Sequence, residues 1–328
     1  MAARMTLPDG GTGWGTSYHA PVLVREVLAL LGLADGARGS YLALDCTLGG
    51  GGHSAALLAG GAEVFGVDRD PEAVAAARRR LADAERAGRF HAVLGNYADA
   101  AVLPPLAGLG FHGIVLDLGI SSHQIDDAAR GFTFREGAAL DMRMEGEGEG
   151  EGEDAAGFLG RAGEQELARV FREYGDEPRA PRLAREIIRR RADRPFATSD
   201  DLVRAIRGAL GPRTGPADFA RLFQAVRIQV NDELGGLARA LPALRDRLVR
   251  GGVLAAIAYH SGEDRLVKHA FRDWSASCVC PPRQPTCTCR GRPLGTLLTR
   301  KAVVASDEER ATNPRARSAR LRAWRSGE

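Results

Sequence analysis

The chain has 328 residues, 44% of them hydrophobic, enough for a substantial core in one large domain or two smaller ones. Its 45 Lys and Arg against 42 Asp and Glu leave a net charge of +3, too small to identify a nucleic-acid partner by itself. No apolar run reaches the roughly 18 residues of a membrane span, and the first twenty residues lack the apolar segment of a signal peptide, so a cytoplasmic protein without membrane contacts is expected.

Residues 1–18 show no apolar pattern and are expected to be disordered. From Pro21, VLVREVLALL has the spacing of an amphipathic helix. YLALDCTLGGGGHSAALLA reads as strand, glycine loop and helix, and AEVFGVDRD as a second apolar strand ending in acids. PEAVAAARRRLADAE is a helix with Pro71 in its first turn. RFHAVLGNY and GIVLDLGISS supply a third and a fourth strand. Apolar strands alternating with helices indicate a parallel sheet covered on both faces.

The rhythm then breaks. Residues 144–154, MEGEGEGEGED, predict a solvated acidic loop. EQELARVFREYG, PRLAREIIRRRAD and SDDLVRAIRGAL predict short helices, the last capped by Thr198 or Ser199. FARLFQAVRIQVNDELGGLARALPALRDRLVRGG predicts a long helical stretch ending at Gly251-Gly252, before a fifth strand, GVLAAIAYHS, and the helix EDRLVKHAFRDW. LGTLLTRKAVVA and SARLRAWRS predict a closing antiparallel pair. The expected organisation is a sheet domain of residues 19–135 and 217–328, with a helical domain, 136–216, inserted between strands four and five.

Chemistry concentrates at strand ends. Asp45 precedes the loop Thr47-Leu48-Gly49-Gly50-Gly51-Gly52-His53, where glycines permit close backbone approach to a ligand. Asp68, ending strand two, is placed to accept hydrogen bonds from ribose hydroxyls, a feature shared by nicotinamide enzymes and methyltransferases. The third glycine of a dinucleotide fingerprint is replaced by Ser54, and Asp117-Leu118-Gly119 ends strand four where a transferred group would lie. With the antiparallel closure, these features favour a methyltransferase over a nicotinamide oxidoreductase. A non-catalytic ribosome assembly factor is a further alternative, disfavoured because a vestigial pocket has no need of Asp45, Asp68 and Asp117 together.

HAPVLVREVL, DCTLGGGGHS, GVDRDPEA, LDLGISSHQIDDAARGFTF, LDMRM, FQAVRIQVNDEL, YHSGEDRLVK and NPRARSARLR give the chain a resemblance to the small-subunit ribosomal RNA methyltransferase H family, from about His19 to Arg322. The resemblance implies an α/β, class I S-adenosylmethionine methyltransferase fold: a doubly wound, mostly parallel seven-stranded sheet with an inserted helical domain. It implies S-adenosyl-L-methionine as cofactor and N4 methylation of a cytidine in the decoding region of 16S rRNA, on the small ribosomal subunit. Carried over by position, the cofactor contacts fall on Gly51, Gly52, His53, Asp68, Tyr97, Asp117 and Gln124. Gly262 stands where the family usually has Leu, His123 where Pro is common, and Tyr97 where Phe is frequent. DNA amine methyltransferases usually carry Pro-Pro-aromatic after the strand-four acid. Here Leu118-Gly119-Ile120 follows, so no DNA substrate is expected.

Methyl transfer to an amine needs alignment more than acid–base power, and alignment alone lowers such barriers by roughly 7–11 kcal/mol in favourable cases. Asp117 is the candidate catalytic residue, either facing the amine N–H bonds or contacting cofactor beside them. His260, Asp141 and Cys46 are weaker candidates: a structural histidine, an acid among packing methionines, and a cysteine without a second feature supporting nucleophilic attack. Phe132 and Phe134 with Arg130 and Arg135 form either a base clamp or part of the core. The cluster from Arg182 to Arg194 is the expected rRNA contact, and the Arg-rich tail is a second basic region. Cys278, Cys280, Cys287 and Cys289 are spaced more tightly than C-x-x-C knuckles, so reduced thiols are favoured over a structural zinc and no metal is assigned. A homodimer is left open.

Overall fold

The computed structural model describes residues 21–37, 39–100, 102–146, 152–281 and 284–327. The predicted disordered segment 1–18 lies outside the described residues, as do residues 147–151 of the acidic loop. The chain divides into two compact units, Met1–Gly119 with Gly236–Glu328, and Ile120–Gly235. The inserted unit is thus wider on both sides than 136–216.

The first unit is built on strands β1 (Leu42–Asp45), β2 (Glu63–Asp68), β3 (Phe90–Leu94), β4 (Phe111–Asp117), β5 (Leu248–Ala258), β6 (Gly295–Leu297) and β7 (Arg320–Ser326). They form a seven-stranded sheet in the order β3-β2-β1-β4-β5-β7-β6. The first five strands are parallel, and β7 runs antiparallel between β5 and β6. This is the order of the class I methyltransferase fold. The winding reverses between β1 and β4, whose carboxyl ends carry Asp45 and Asp117. Ligands of open α/β sheets bind at such a switch point.

Period-two alternation supplies both faces of the sheet with apolar side chains. Ala43, Val64, Val115, Ala255 and Ile257 pack under α1 (Val24–Leu30), α2 (Gly52–Ala59), α3 (Pro71–Arg80) and α4 (Ala82–Arg86). Asp70 caps α3, accepting from Glu72 N at 3.0 Å. Leu44, Val67, Ile114, Leu116, Leu254 and Ala256 face the opposite side.

The inserted unit contains α5 (Ser122–Asp126), α6 (Ala155–Arg161), α7 (Glu164–Glu173), α8 (Ala180–Asp193), α9 (Ser199–Leu210) and α10 (Pro216–Val230). Each of the longer helices buries one stripe, such as Leu167, Val170 and Phe171 of α7 or Leu183, Ala184 and Ile187 of α8, around a separate apolar core. Thr198 is the cap of α9, and its amide donates to Asp201 at 3.0 Å. Phe132 joins this core, and Phe134 packs against Phe219 and Phe223 with ring centroids 5.9 and 6.0 Å apart. Arg130 is buried and donates to the Met144 carbonyl at 2.7 Å, while Arg135 pairs with Asp126 at 3.1 Å. The aromatic-basic stretch is therefore packing, not an exposed clamp.

The predicted long helix is two helices. Asn231 ends α10 and Asp232 adopts φ +47° before α11 (Glu233–Arg245) begins. The Asn231 side chain accepts from Met144 N at 2.9 Å and donates to the Met142 carbonyl at 2.7 Å, so the break anchors the segment 142–144. Leu237, Leu241 and Leu244 of α11, and Val267, Phe271 and Trp274 of α12 (Ser261–Ser275), cover the second face of the sheet. Gly251-Gly252 does not end a helix: β5 starts at Leu248, and its pairing with β4 jumps from Phe111↔Leu248 to Gly113↔Val253. Gly251 takes φ +76°, and a Cβ on Gly252 would stand 2.9 Å from the Phe111 carbonyl oxygen. A short helix, α13 (Asp307–Thr312), precedes β7.

Candidate active site

Asp45, at the end of β1, is fully buried. Burial pushes its carboxyl up, against the Ser54 hydroxyl at 2.7 Å and the Thr47 amide at 3.2 Å, which both favour the charged form. Ser54, the residue that departs from a dinucleotide fingerprint, is thus a partner of this carboxylate. The loop between them is held to β2, because Leu48 N donates to the Val67 carbonyl at 3.0 Å and Gly49 N to Asp68 Oδ2 at 2.7 Å.

The glycines have local reasons. Gly49 and Gly51 adopt φ +49° and +75°, and a Cβ on Gly52 would meet the Pro21 ring at 3.0 Å. Their number therefore argues less for a cofactor than the acids around them do. Asp68 accepts one amide on each oxygen, from Gly49 and, at 3.0 Å, from Asp70. Burial raises its carboxyl to about 6, with Asp70 and Asp45 adding to the rise against those amides. Each oxygen keeps a further acceptor site, which suits a ligand that donates from hydroxyls.

Asp117, ending β4, is the best-connected residue of the site. Its amide donates to Thr47 Oγ1 at 2.7 Å, tying β4 to the β1 loop. Its Oδ1 accepts the Tyr259 hydroxyl at 2.7 Å, and its Oδ2 lies 3.6 Å from His53 Nδ1. The other His53 nitrogen, Nε2, contacts the Val22 carbonyl at 3.0 Å. Burial, and then the Asp117 charge, push the Tyr259 phenol well above its ordinary range, so Tyr259 remains a proton donor to Asp117. Tyr97 stands just past β3, in a turn capped by Asn96, and packs against the second-face core.

Gly51, Gly52, His53, Asp68, Tyr97 and Asp117 thus gather at the carboxyl ends of the parallel strands of the first unit. Gln124 belongs to the other unit, where it closes a capping box with Ser121 at 3.0 and 3.2 Å. Asp141, also there, is bound two-pronged by Arg143 at 2.9 and 2.6 Å. Burial alone would raise its carboxyl, and that pairing holds it below its ordinary value. The Cys46 thiol is pushed well up by burial and by Asp45, which leaves it a poor nucleophile. His260 caps α12, with Nδ1 accepting from Gly262 N at 3.2 Å and Nε2 3.1 Å from Glu263.

Tyr259 was not singled out from the sequence. The available signal was position, since it lies two residues beyond Ile257, which pairs with Asp117 across β4 and β5. It also lines a cleft of about 520 Å³ with Arg265, Lys268, His269, Arg317 and Arg320. The one acid lining this cleft, Asp264, is bound by Arg322 at 2.7 and 3.1 Å. In the cluster from Arg182 to Arg194, the expected rRNA contact, Arg185 pairs with Glu164, Arg189 and Arg190 with Glu186, and Arg194 with Asp201, while Arg185, Arg189 and Arg194 stay more than half exposed. Arg191 donates to the carbonyls of Leu159 and Ala162.

Known proteins match the chain along nearly its whole length. The family model described as the MraW methylase family matches residues 16–326. A ribosomal RNA small subunit methyltransferase H from Gemmatimonas aurantiaca is 63% identical over 99% of this chain and 100% of its own. The protein of that name from Heliobacterium modesticaldum is 46% identical over 93% of this chain and 97% of its own. Among solved structures, an rRNA methylase from Streptococcus thermophilus is 11% identical with a TM-score of 0.40, covering 90% of this chain and 92% of that one. A match across nearly the whole length, on a sheet of the expected order, makes the chain a member of the MraW methylase family.

Proposed function

We propose that the chain transfers the methyl group of S-adenosyl-L-methionine to the exocyclic N4 amine of a cytidine in the decoding region of 16S rRNA, on the small ribosomal subunit. The observation that carries this reading is Asp117, held by Thr47 and Tyr259 at the switch point of a methylase-family sheet. The names of full-length relatives supply the substrate class.

The residues fit such a cofactor. Asp68 offers acceptors to two ribose hydroxyls, Tyr97 an aromatic face for a base, and Gly51, Gly52 and His53 a backbone edge beside Asp117. Gln124 is included on the family resemblance alone. The cofactor, when bound, supplies a methyl group activated on a sulfonium. A cytosine amine is a poor nucleophile, because its lone pair is delocalised into the ring. Asp117 accepts a hydrogen bond from the amine N–H, stabilises the positive charge that grows on nitrogen, and passes to solvent the proton that the nitrogen sheds once methylated. Tyr259 is a positioning residue: it fixes Asp117 Oδ1, while Oδ2, 3.6 Å from His53 Nδ1, keeps acceptor capacity for the substrate amine. The cleft lined by Arg265, Lys268, Arg317 and Arg320 opens beside Tyr259 and receives phosphates flanking the target base.

With labelled methyl donor, undermethylated small subunits and nucleoside analysis, the wild-type chain should yield N4-methylcytidine. Asp117→Asn should lose about 10²–10³-fold in turnover, and Tyr259→Phe about tenfold, the equivalent of one charge-assisted hydrogen bond of ~1.5 kcal/mol. Full turnover by Asp117→Asn would remove Asp117 from the chemistry.

The raised Asp68 carboxyl sets a pH dependence. Donor affinity should fall as pH drops below about 6, where Asp68 takes up a proton, and Asp68→Asn should flatten that profile. Folding stability runs the other way. The folded state holds the Asp68 proton more tightly than the unfolded chain does, so this group's contribution declines as pH rises from 3.8 to about 6. Affinity unchanged across this window would dissociate Asp68 from the cofactor.

Charge reversal in the cleft, Arg265→Glu with Lys268→Glu, should weaken subunit binding and reduce the salt slope by about one for each phosphate left without its cation. Binding that stays the same at several salt concentrations would assign the RNA interface elsewhere.

A further inference from the structure

Nineteen residues, 276–294, connect α12 to β6 with neither helix nor strand among those described. The segment has little apolar content to hold it, and Val279 is exposed. Its four cysteines nevertheless converge. Cys278 Sγ lies 3.8 Å from Cys287 Sγ and 3.8 Å from Cys289 Sγ, Cys280 Sγ lies 3.9 Å from Cys287 Sγ, and Cys287 and Cys289 are 3.5 Å apart. All four sulfurs lie within 4.8 Å of one another.

These separations identify the arrangement. A disulfide would bring two sulfurs to about 2.05 Å and separate that pair from the others. Four thiolates around one zinc at about 2.3 Å occupy the corners of a tetrahedron whose edges are about 3.8 Å. The observed spacings cluster at that edge length. Val279 N also donates to Cys289 Sγ at 3.4 Å, a backbone contact that favours a charged sulfur. Arg290 ties the loop back to the end of α12 through the carbonyls of Asp273 and Ala276.

We propose that Cys278, Cys280, Cys287 and Cys289 bind one structural zinc ion. Each thiol releases its proton to solvent as its sulfur coordinates, giving a closed tetrathiolate site with no position left for water or substrate. The zinc staples the segment that delivers β6 to the sheet, where Leu294 N meets the Trp274 carbonyl at 2.7 Å and Trp274 packs edge-on against Trp324. The short C-x-C spacing, which argued against a metal from sequence, is accommodated because the two pairs converge with all four sulfurs within 4.8 Å of one another. The proposal is independent of the methylation reading, since no cysteine of the quartet lies at the strand ends that carry Asp68 and Asp117.

The test is elemental analysis of the full chain purified without added metal, followed by replacement with Co²⁺. Stoichiometric zinc is expected, together with the visible and thiolate charge-transfer bands of tetrahedral tetrathiolate Co²⁺. Cys287→Ser with Cys289→Ser should bring the zinc content to background and abolish those bands. Chelation of the wild-type chain should release the zinc and expose the 276–294 segment to protease while the rest of the sheet unit resists. Wild-type protein that carries no zinc, gives no such bands with Co²⁺, and shows four freely titrating thiols or two disulfides would overturn the proposal, whatever the fate of the variants.

Discussion

A carboxylate sealed in a protein interior must be satisfied there, because burying it unpaired costs several kcal/mol or more. Asp45 imposes that constraint on this fold. Its oxygens take the Ser54 hydroxyl and the Thr47 amide, so the chain must turn back over the end of β1 within a few residues and enter α2 with Ser54 inward. Thr47, once placed, offers its hydroxyl oxygen to the Asp117 amide and fixes the neighbouring strand. Gly49 then reaches Asp68. One buried carboxyl is thereby linked through this loop to the other two acids of the sheet edge.

The acids so placed have different characters. Asp45 is walled off and structural. Asp68 is raised to about 6 by burial and retains acceptor capacity. Asp117 is held from three directions, by Thr47, Tyr259 and the nearby His53 ring. Division of labour among like groups follows from their surroundings. The basic cleft beside Tyr259 concentrates positive charge that a net charge of +3 conceals.

The first four strands were legible because each is an apolar run ending in an acid or a glycine turn, and because strands alternate with helices. The sequence also exposed Asp45, Asp68 and Asp117 as acids at the carboxyl ends of parallel strands. Tyr259 was not legible, since its role depends on cross-strand register, which no local pattern encodes. A run of charges shows nothing about its partners, and only the structure shows that Glu164, Glu186 and Asp201 pair with four of the arginines between Arg182 and Arg194. Gly251-Gly252 read as a helix stop because glycine marks helix ends and strand bulges alike, and only the approach of the Phe111 carbonyl distinguishes them.

Uptake of a methyl donor in preference to a dinucleotide is the central proposal for this sheet edge. Titration calorimetry of the full chain against S-adenosyl-L-methionine and, separately, NADH measures that preference directly. Saturable uptake of the methyl donor at one site, with no heat from NADH, is the predicted result. A folded sample that ignores the methyl donor and takes up NADH tightly would contradict it.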